Sequence, residues 1–162
     1  MSGAMRNDIL GVPFTTDDGR KVVRAKAHAA LSAYVPYLVV PTFQSQTLDG
    51  VTTVTGDAVT AALNAVASVD RQWGVPQRDY ESGDIAELQQ GGPGKLNVDN
   101  TTGPILATSY LKFIPGTSTI LGQLDGADQT ANSVARSCEA MDSTTDAAIQ
   151  VQFIPDAHVI NV

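Results

Sequence analysis

Near its end the chain reads AAIQVQFIP, setting Ile149, Val151 and Phe153 against Gln150 and Gln152. Successive side chains of an extended backbone point to opposite faces, so strict alternation specifies a strand with one buried and one wet face. KLNVD repeats the pattern, with Leu96 and Val98 set against Lys95, Asn97 and Asp99. PILATSYLKFIPG puts Ile105, Ala107, Leu111 and Phe113 on one face and stops at Pro115-Gly116. From Arg71 onward such stretches recur, with turn signals between them, as about five or six short strands at a spacing of about 8–15 residues. This pattern constrains the chain more than any motif does, and it predicts an all-β barrel or sandwich.

The first half is more mixed. TTDDGR, residues 15–20, is a turn by composition, because Asp accepts local hydrogen bonds and Gly19 supplies positive φ. In KVVRAKAHA, Arg24, Lys26 and His28 face one way while Val23, Ala25 and Ala27 face the other, which predicts a half-buried strand with a cationic stripe. That stripe is either a contact for an acidic partner or an ordinary solvated face. SAYVPYLVVPTFQ, residues 32–44, is rich in strand formers, but Pro36 and Pro41 confine it to a sheet edge or to strand ends. GDAVTAALNAVASVD suggests one short helix over about 57–69, capped by Asp57, with Val59, Leu63 and Val66 at i, i+4 and i+7. The first fourteen residues show no period and read as an N-terminal arm, whose Ile9, Leu10, Val12 and Phe14 are its apolar content. The expected organisation is therefore an arm over 1–14 and one β-rich domain over 15–162.

QQGGPGKLN, residues 89–97, invites a phosphate-loop reading and fails it. With Gly94-Lys95 as the G-K pair, Gln89 stands where the first glycine belongs and Leu96 where the hydroxyl belongs. GGPG is then expected to be a hairpin loop between IAEL and KLNV. A faint internal echo accompanies it. WGVPQRDYESGDIAELQQ (73–90) and VARSCEAMDSTTDAAIQVQF (134–153) both run strand, acidic turn, then a strand carrying glutamines, with Tyr80 and Met141 just before the two turns.

Composition narrows the function. At 162 residues the chain needs no covalent staple, and its one cysteine, Cys138, rules out a disulfide framework or a CxxC zinc site, so a buried inert thiol is expected. Residues 1–50 hold five basic and four acidic side chains, while 51–162 hold five and thirteen. An acidic body of net charge −7 argues against nucleic acid as a direct partner. The stretch from Ala27 to Leu48 lacks Asp, Glu, Lys and Arg, but Pro36, Pro41, Gln44, Ser45 and Gln46 disqualify it as a membrane span. MSGAMRNDILG has no apolar signal region, so synthesis in a cytoplasm is expected.

Sequence offers no catalytic, cofactor or metal residues. No nucleophile elbow or HExxH stands out, and Asp17-Asp18-Gly19 and Asp125-Gly126-Ala127-Asp128 lack the spacing and closing Glu of a calcium loop. Glu81 and Asp84 are the nearest thing to a carboxylate pair, and they sit in a turn where acids are ordinary. Trp73 is expected in the core.

Gly74-Val75 with Ser82-Gly83-Asp84, the glycine cluster from Gly91 to Gly94, and the closing hairpin from Ala135 to Phe153 resemble the decoration, or cement, proteins of tailed-phage capsids, a family of small β-barrels. The resemblance covers roughly residues 71–154, and Pro76 and Thr144-Thr145-Asp146 depart from it. It implies a non-enzymatic virion protein, made in the host cytoplasm and placed on the outer surface of the capsid as a homotrimer that clamps major capsid protein subunits. Under that reading Ile9, Leu10, Val12, Phe14, Arg24, Lys26 and His28 are the capsid-contact candidates. The alternatives are a tail, baseplate or head-fibre component, or a β-barrel carbohydrate-binding module or enzyme, which would show a pocket of convergent carboxylates.

Overall fold

A computed structural model describes residues 10–48, 51–62, 73–98, 105–113, 120–122, 133–141 and 147–154. Ten strands follow in order: β1 (Phe14–Thr15), β2 (Lys21–Lys26), β3 (Tyr37–Leu48), β4 (Val51–Ala62), β5 (Trp73–Pro76), β6 (Ile85–Val98), β7 (Tyr110–Phe113), β8 (Ile120–Gly122), β9 (Ser133–Ser137) and β10 (Ala147–Phe153). They form a sheet in the order β1-β2-β4-β3-β5-β6-β10-β9-β7-β8. Every ladder is antiparallel except β2–β4, which meet in parallel at Lys26↔Val59. The sheet is not closed into a barrel as a whole, although an additional β2–β6 ladder folds its first half back on itself.

The alternation read from sequence is reproduced in burial in β2, the later part of β6 and β10, whereas Ala107, expected on one face with the buried Ile105 and Leu111, is exposed in the turn before β7. Val23, Ala25 and Ala27 are buried, as are Leu96, Val98, Ile149, Val151 and Phe153. The turn at Thr16–Arg20 is built as its composition requires: Gly19, at φ 81°, donates to Thr16 O at 2.9 Å, and the Thr16 hydroxyl donates to Asp18 Oδ1. Pro36 immediately precedes β3, and Pro41 lies where β3, among the described residues, is laddered to β4 alone, since its ladder to β5 is confined to Tyr37 and Leu38.

Three further expectations are corrected. Residues 57–62 are the end of β4, not a helix, and 63–69 lie outside the described residues. Asp57 is paired with Thr42 in a full ladder, and the buried Ala58 and Thr60 alternate. Period 2 along a paired strand outweighs a shallow i, i+4, i+7 pattern of small residues, because each position gains a ladder hydrogen bond as well as burial. Cys138 is exposed, because it continues the outward parity of Arg136 while its N–H still donates to Gln150 O of β10 at 2.9 Å. Finally, GGPG does not reverse the chain. β6 runs unbroken from Ile85 to Val98, changing partners at the glycines.

The partner exchange explains the composition. Up to Gly91, β6 pairs with β2, and from Gly92 onward it pairs with β10. Between Lys21↔Gly91 and Val22↔Gln89 the register slips, leaving Gln90 as the extra residue of a bulge. Gly92 takes φ 85°, and a Cβ there would stand 3.2 Å from Arg20 Cα. A Cβ on Gly94 would stand 2.8 Å from the Phe153 ring. Side-chain amides fix the junction. Gln77 accepts from Lys95 N at 2.8 Å and donates to Lys95 O at 3.0 Å, standing in for a missing strand. Gln89 Nε2 donates to Gly91 O and Pro93 O, and Gln90 Nε2 to Trp73 O.

The junction divides two copies of one structural unit. In the first, Leu31 bridges Tyr80 and Tyr37 pairs with Gly74; in the second, Ile105 bridges Met141 and Leu111 pairs with Ala135. Tyr34 N donates to Pro76 O at 2.8 Å, and Thr108 N to Ser137 O at 2.9 Å. Tyr34 and Thr108 are the two positive-φ residues other than glycine among those described, at 66° and 75°. The separation in sequence is constant: 74 residues from Leu31 to Ile105, Tyr34 to Thr108 and Tyr37 to Leu111, and 61 from Gly74 to Ala135, Pro76 to Ser137 and Tyr80 to Met141. Likewise Arg24↔Glu87, Ala25↔Ala86 and Lys26↔Ile85 match Lys95↔Gln150, Leu96↔Ile149 and Asn97↔Ala148, with separations of 71 and 63. The echo between 73–90 and 134–153 is thus one part of a repeat that extends over β2–β6 and β6–β10, with β6 shared.

The units are not independent. One core cluster joins Leu38, Trp73 and Val75 of the first to Leu96, Leu111, Val151 and Phe153 of the second, with the Trp73 and Phe153 rings 6.2 Å apart. Two smaller clusters, around Val23, Val39 and Leu88 and around Leu31 and Tyr80, fill the first unit.

Candidate interaction surface

The proposed contact residues converge on β2 and the segment that leads into it. Alternation puts Arg24, Lys26 and His28 on the outward side, and the structure assigns each a different local role. Arg24 pairs with Glu87 across the β2–β6 ladder, Nη2 to Oε1 at 2.8 Å, and its guanidinium lies 5.2 Å from the centre of the Phe14 ring. His28 Nδ1 is 2.8 Å from Thr60 Oγ1, which also accepts from His28 N, so this side chain helps tie β2 to β4. Lys26 is exposed at the end of the strand.

The N-terminal segment is part of the body from Leu10 onward. Gly11 N donates to Arg24 O at 2.8 Å, and Leu10 packs on the cluster of Val23, Ala25, Val39, Ala58 and Leu88. Phe14 begins β1, which pairs with β2 at Phe14↔Val22. Val12 projects, 48% exposed. Ile9 lies outside the described residues. Leu10 is therefore packed inward and Phe14 lies against Arg24, while Val12 and Lys26 offer side chains to solvent.

Beside this surface is a shallow recess of about 200 Å³ lined by Arg20, Arg78, Tyr80, Glu87 and Gln89 among others. Arg20 Nε is held 2.7 Å from Asp18 Oδ2, Glu87 is engaged by Arg24, and Arg78 stacks 4.6 Å from the centre of the Tyr80 ring. Two guanidiniums and one bridged carboxylate suit recognition of acidic groups more than proton transfer. Asp84, singled out with Glu81 as a carboxylate pair, accepts from Glu81 N at 3.0 Å, which is turn chemistry. Among the described residues no three His, Cys, Asp or Glu side chains group as metal ligands, and no helix is long and apolar enough to cross a membrane. Trp73 is in the core, 2% exposed.

Sequence reasoning missed the three glutamines of the β6 junction. The one signal was polarity at Gln90, which strand alternation places inside with Ala86 and Leu88; Gln77 lies beyond β5 and Gln89 on the outward parity of Glu87.

No family model matches the chain, and no curated protein matches it. Among solved structures, the crystal structure of the head fiber gp8.5 N base in bacteriophage phi29 is similar over 85% of this chain and 96% of that one, at 15% sequence identity and a TM-score of 0.44.

Proposed function

We propose that this chain is a structural protein of a tailed-phage virion, a decoration protein that binds the outside of the head and clamps neighbouring major capsid subunits. The observation that carries the reading is the repeat. The segments resembling decoration proteins, Gly74-Val75 with Ser82-Gly83-Asp84 and the hairpin from Ala135 to Phe153, fall on the β5–β6 and β9–β10 elements, which occupy equivalent places in the two units. The same strand–turn–strand element is thus presented twice on one rigid core, as suits a protein that engages a repetitive shell. The homotrimer and the contact residues Val12 and Lys26 belong to this proposal, as does a contact by residues 1–9, which lie outside the described residues.

The test is co-sedimentation of the full chain with purified expanded heads, compared with a deletion of residues 1–9 that spares Leu10. Saturable binding supports the reading, and weakened binding by the deletion variant assigns part of the contact to the arm. No binding to heads, with the protein found instead in tails, baseplates or projecting fibres, would replace it with another virion role.

A further inference from the structure

The repeat supplies an internal control for the recess beside β2. Its lining residues Arg78, Tyr80, Glu87 and Gln89 correspond to Glu139, Met141, Gln150 and Gln152 of the second unit, at the same separations of 61 and 63. The equivalent backbone N–H groups find different acceptors. Gln150 N donates to Glu139 Oε1 at 2.8 Å, whereas Glu87 N donates to the Tyr80 hydroxyl at 3.1 Å. In the first unit the tyrosine thus does what position 139 does in the second, and position 78 carries a cation that the fold does not require. The Arg78 guanidinium lies 4.6 Å from the centre of the Tyr80 ring, which supports it at the recess.

The rest of the lining is held by bonds of its own. Gln77 bonds Lys95 N and O, Gln89 Nε2 bonds Gly91 O and Pro93 O, and Arg20 Nε is 2.7 Å from Asp18 Oδ2. Side chains fixed in this way lose little freedom when a ligand arrives. Arg20 meets Asp18 through Nε, so its Nη groups are its other donors, and with Arg78 they offer the planar forks that match an oxyanion. Glu87 narrows the choice. Arg24 reaches it at Oε1, from Nε at 3.1 Å and Nη2 at 2.8 Å, and a carboxylate accepts through both oxygens. A ligand here meets donors for an anion and an acceptor for a hydroxyl, while the charges of Asp18 and Glu87 disfavour a dianion. The volume of about 200 Å³ is below the roughly 300–1,000 Å³ of sites for drug-sized ligands, which suits a single ring.

We infer that this recess binds a hydroxylated monocarboxylate the size of one sugar ring, a uronic acid residue, with Arg20 and Arg78 on the carboxylate and Glu87 on a ring hydroxyl. The inference stands apart from head binding, and either can fail without the other. It is tested by an amide NMR titration of the full chain with sodium glucuronate at constant ionic strength, with glucose and inorganic phosphate as comparison ligands. The expected result is a saturable set of shifts confined to the neighbourhood of Arg20, Gln77 to Tyr80 and Glu87 to Gln89, with a Kd on the order of 1 mM, ordinary for one small ring. Glucose and phosphate should bind about tenfold more weakly or worse. Arg78→Glu, which installs the residue type of the second unit, should keep the wild-type circular dichroism spectrum and weaken glucuronate about tenfold or more, the loss of a charge-assisted hydrogen bond. Should that variant misfold, Arg20→Gln decides by the same criterion. Glucuronate without saturable shifts, shifts centred elsewhere, glucose or phosphate matching glucuronate, or a folded variant of unchanged affinity would overturn the inference.

Discussion

Phe153→Ala examines whether the two units share one core. Phe153 is fully buried at the end of β10, against the Trp73 ring and opposite Gly92 and Ala135 in the ladders. A buried phenylalanine removes about 150 Å² or more from water. At about 25 cal/mol per Å² that is worth about 4 kcal/mol, in the middle of the roughly 3–5 kcal/mol seen when Phe is cut to Ala in a core. This is a large fraction of the roughly 5–15 kcal/mol available to a whole domain. Phe153→Leu, costing about 1.5 kcal/mol, is therefore the companion variant that stays folded. The assay is urea unfolding followed at once by Trp73 fluorescence and far-UV circular dichroism. Trp73 is the one tryptophan and sits in the first unit, whereas Phe153 belongs to the second. If the core is shared, both probes move to the same lower midpoint with unchanged slope. A Trp73 transition left in place while the dichroism splits in two would refute the reasoning.

Gly94→Ala should cost about 1–3 kcal/mol by overpacking, since its Cβ would stand 2.8 Å from the Phe153 ring and 2.9 Å from Gln89 Oε1, and a urea midpoint checks it. Thr108→Gly should raise stability by up to about 1 kcal/mol, because a β-branched residue at φ 75° is strained, and a lower melting temperature would contradict that account of the turn. The Thr16 hydroxyl, with Arg20 beside it, holds the Asp18 carboxyl below its usual range. A folded pKa depressed in this way gives stability present above the unfolded value near 3.9 and lost as pH falls through the folded value, so the Asp18 carboxyl carbon should titrate below an ordinary Asp. An ordinary or raised midpoint would show that the turn does not favour the charged form.

What was legible in the sequence is what alternation encodes. β2, the later half of β6 and β10 each bury one face, and the turn at Thr16–Arg20 announces itself by Asp-Asp-Gly. What was hidden depends on which strand each segment meets. Gly91-Gly92-Pro93-Gly94 has the composition of a reversal, yet it serves a bulge where one strand passes between two partners, the β2 ladder ending at Gly91 and the β10 ladder beginning at Gly92. β4 looked helical because Ala and Thr carry little periodic signal until β3 pairs with them. The repeat showed only at Tyr80 and Met141, because the units share backbone hydrogen bonds and burial more than residue types: Tyr34 and Thr108 hold the same strained turn with unlike side chains. On the contact surface, sequence reasoning identified the outward residues of β2. It did not anticipate that Arg24 and His28 would be engaged by Glu87 and Thr60.

The most direct test of the virion reading is a cryo-electron microscopy difference map between heads saturated with this protein and bare expanded heads. The account predicts added density on the outer surface, bridging adjacent capsid subunits and fitted by the tandem β-unit. Saturated heads indistinguishable from bare ones, or density confined to a fibre, tail or inner surface, would contradict it.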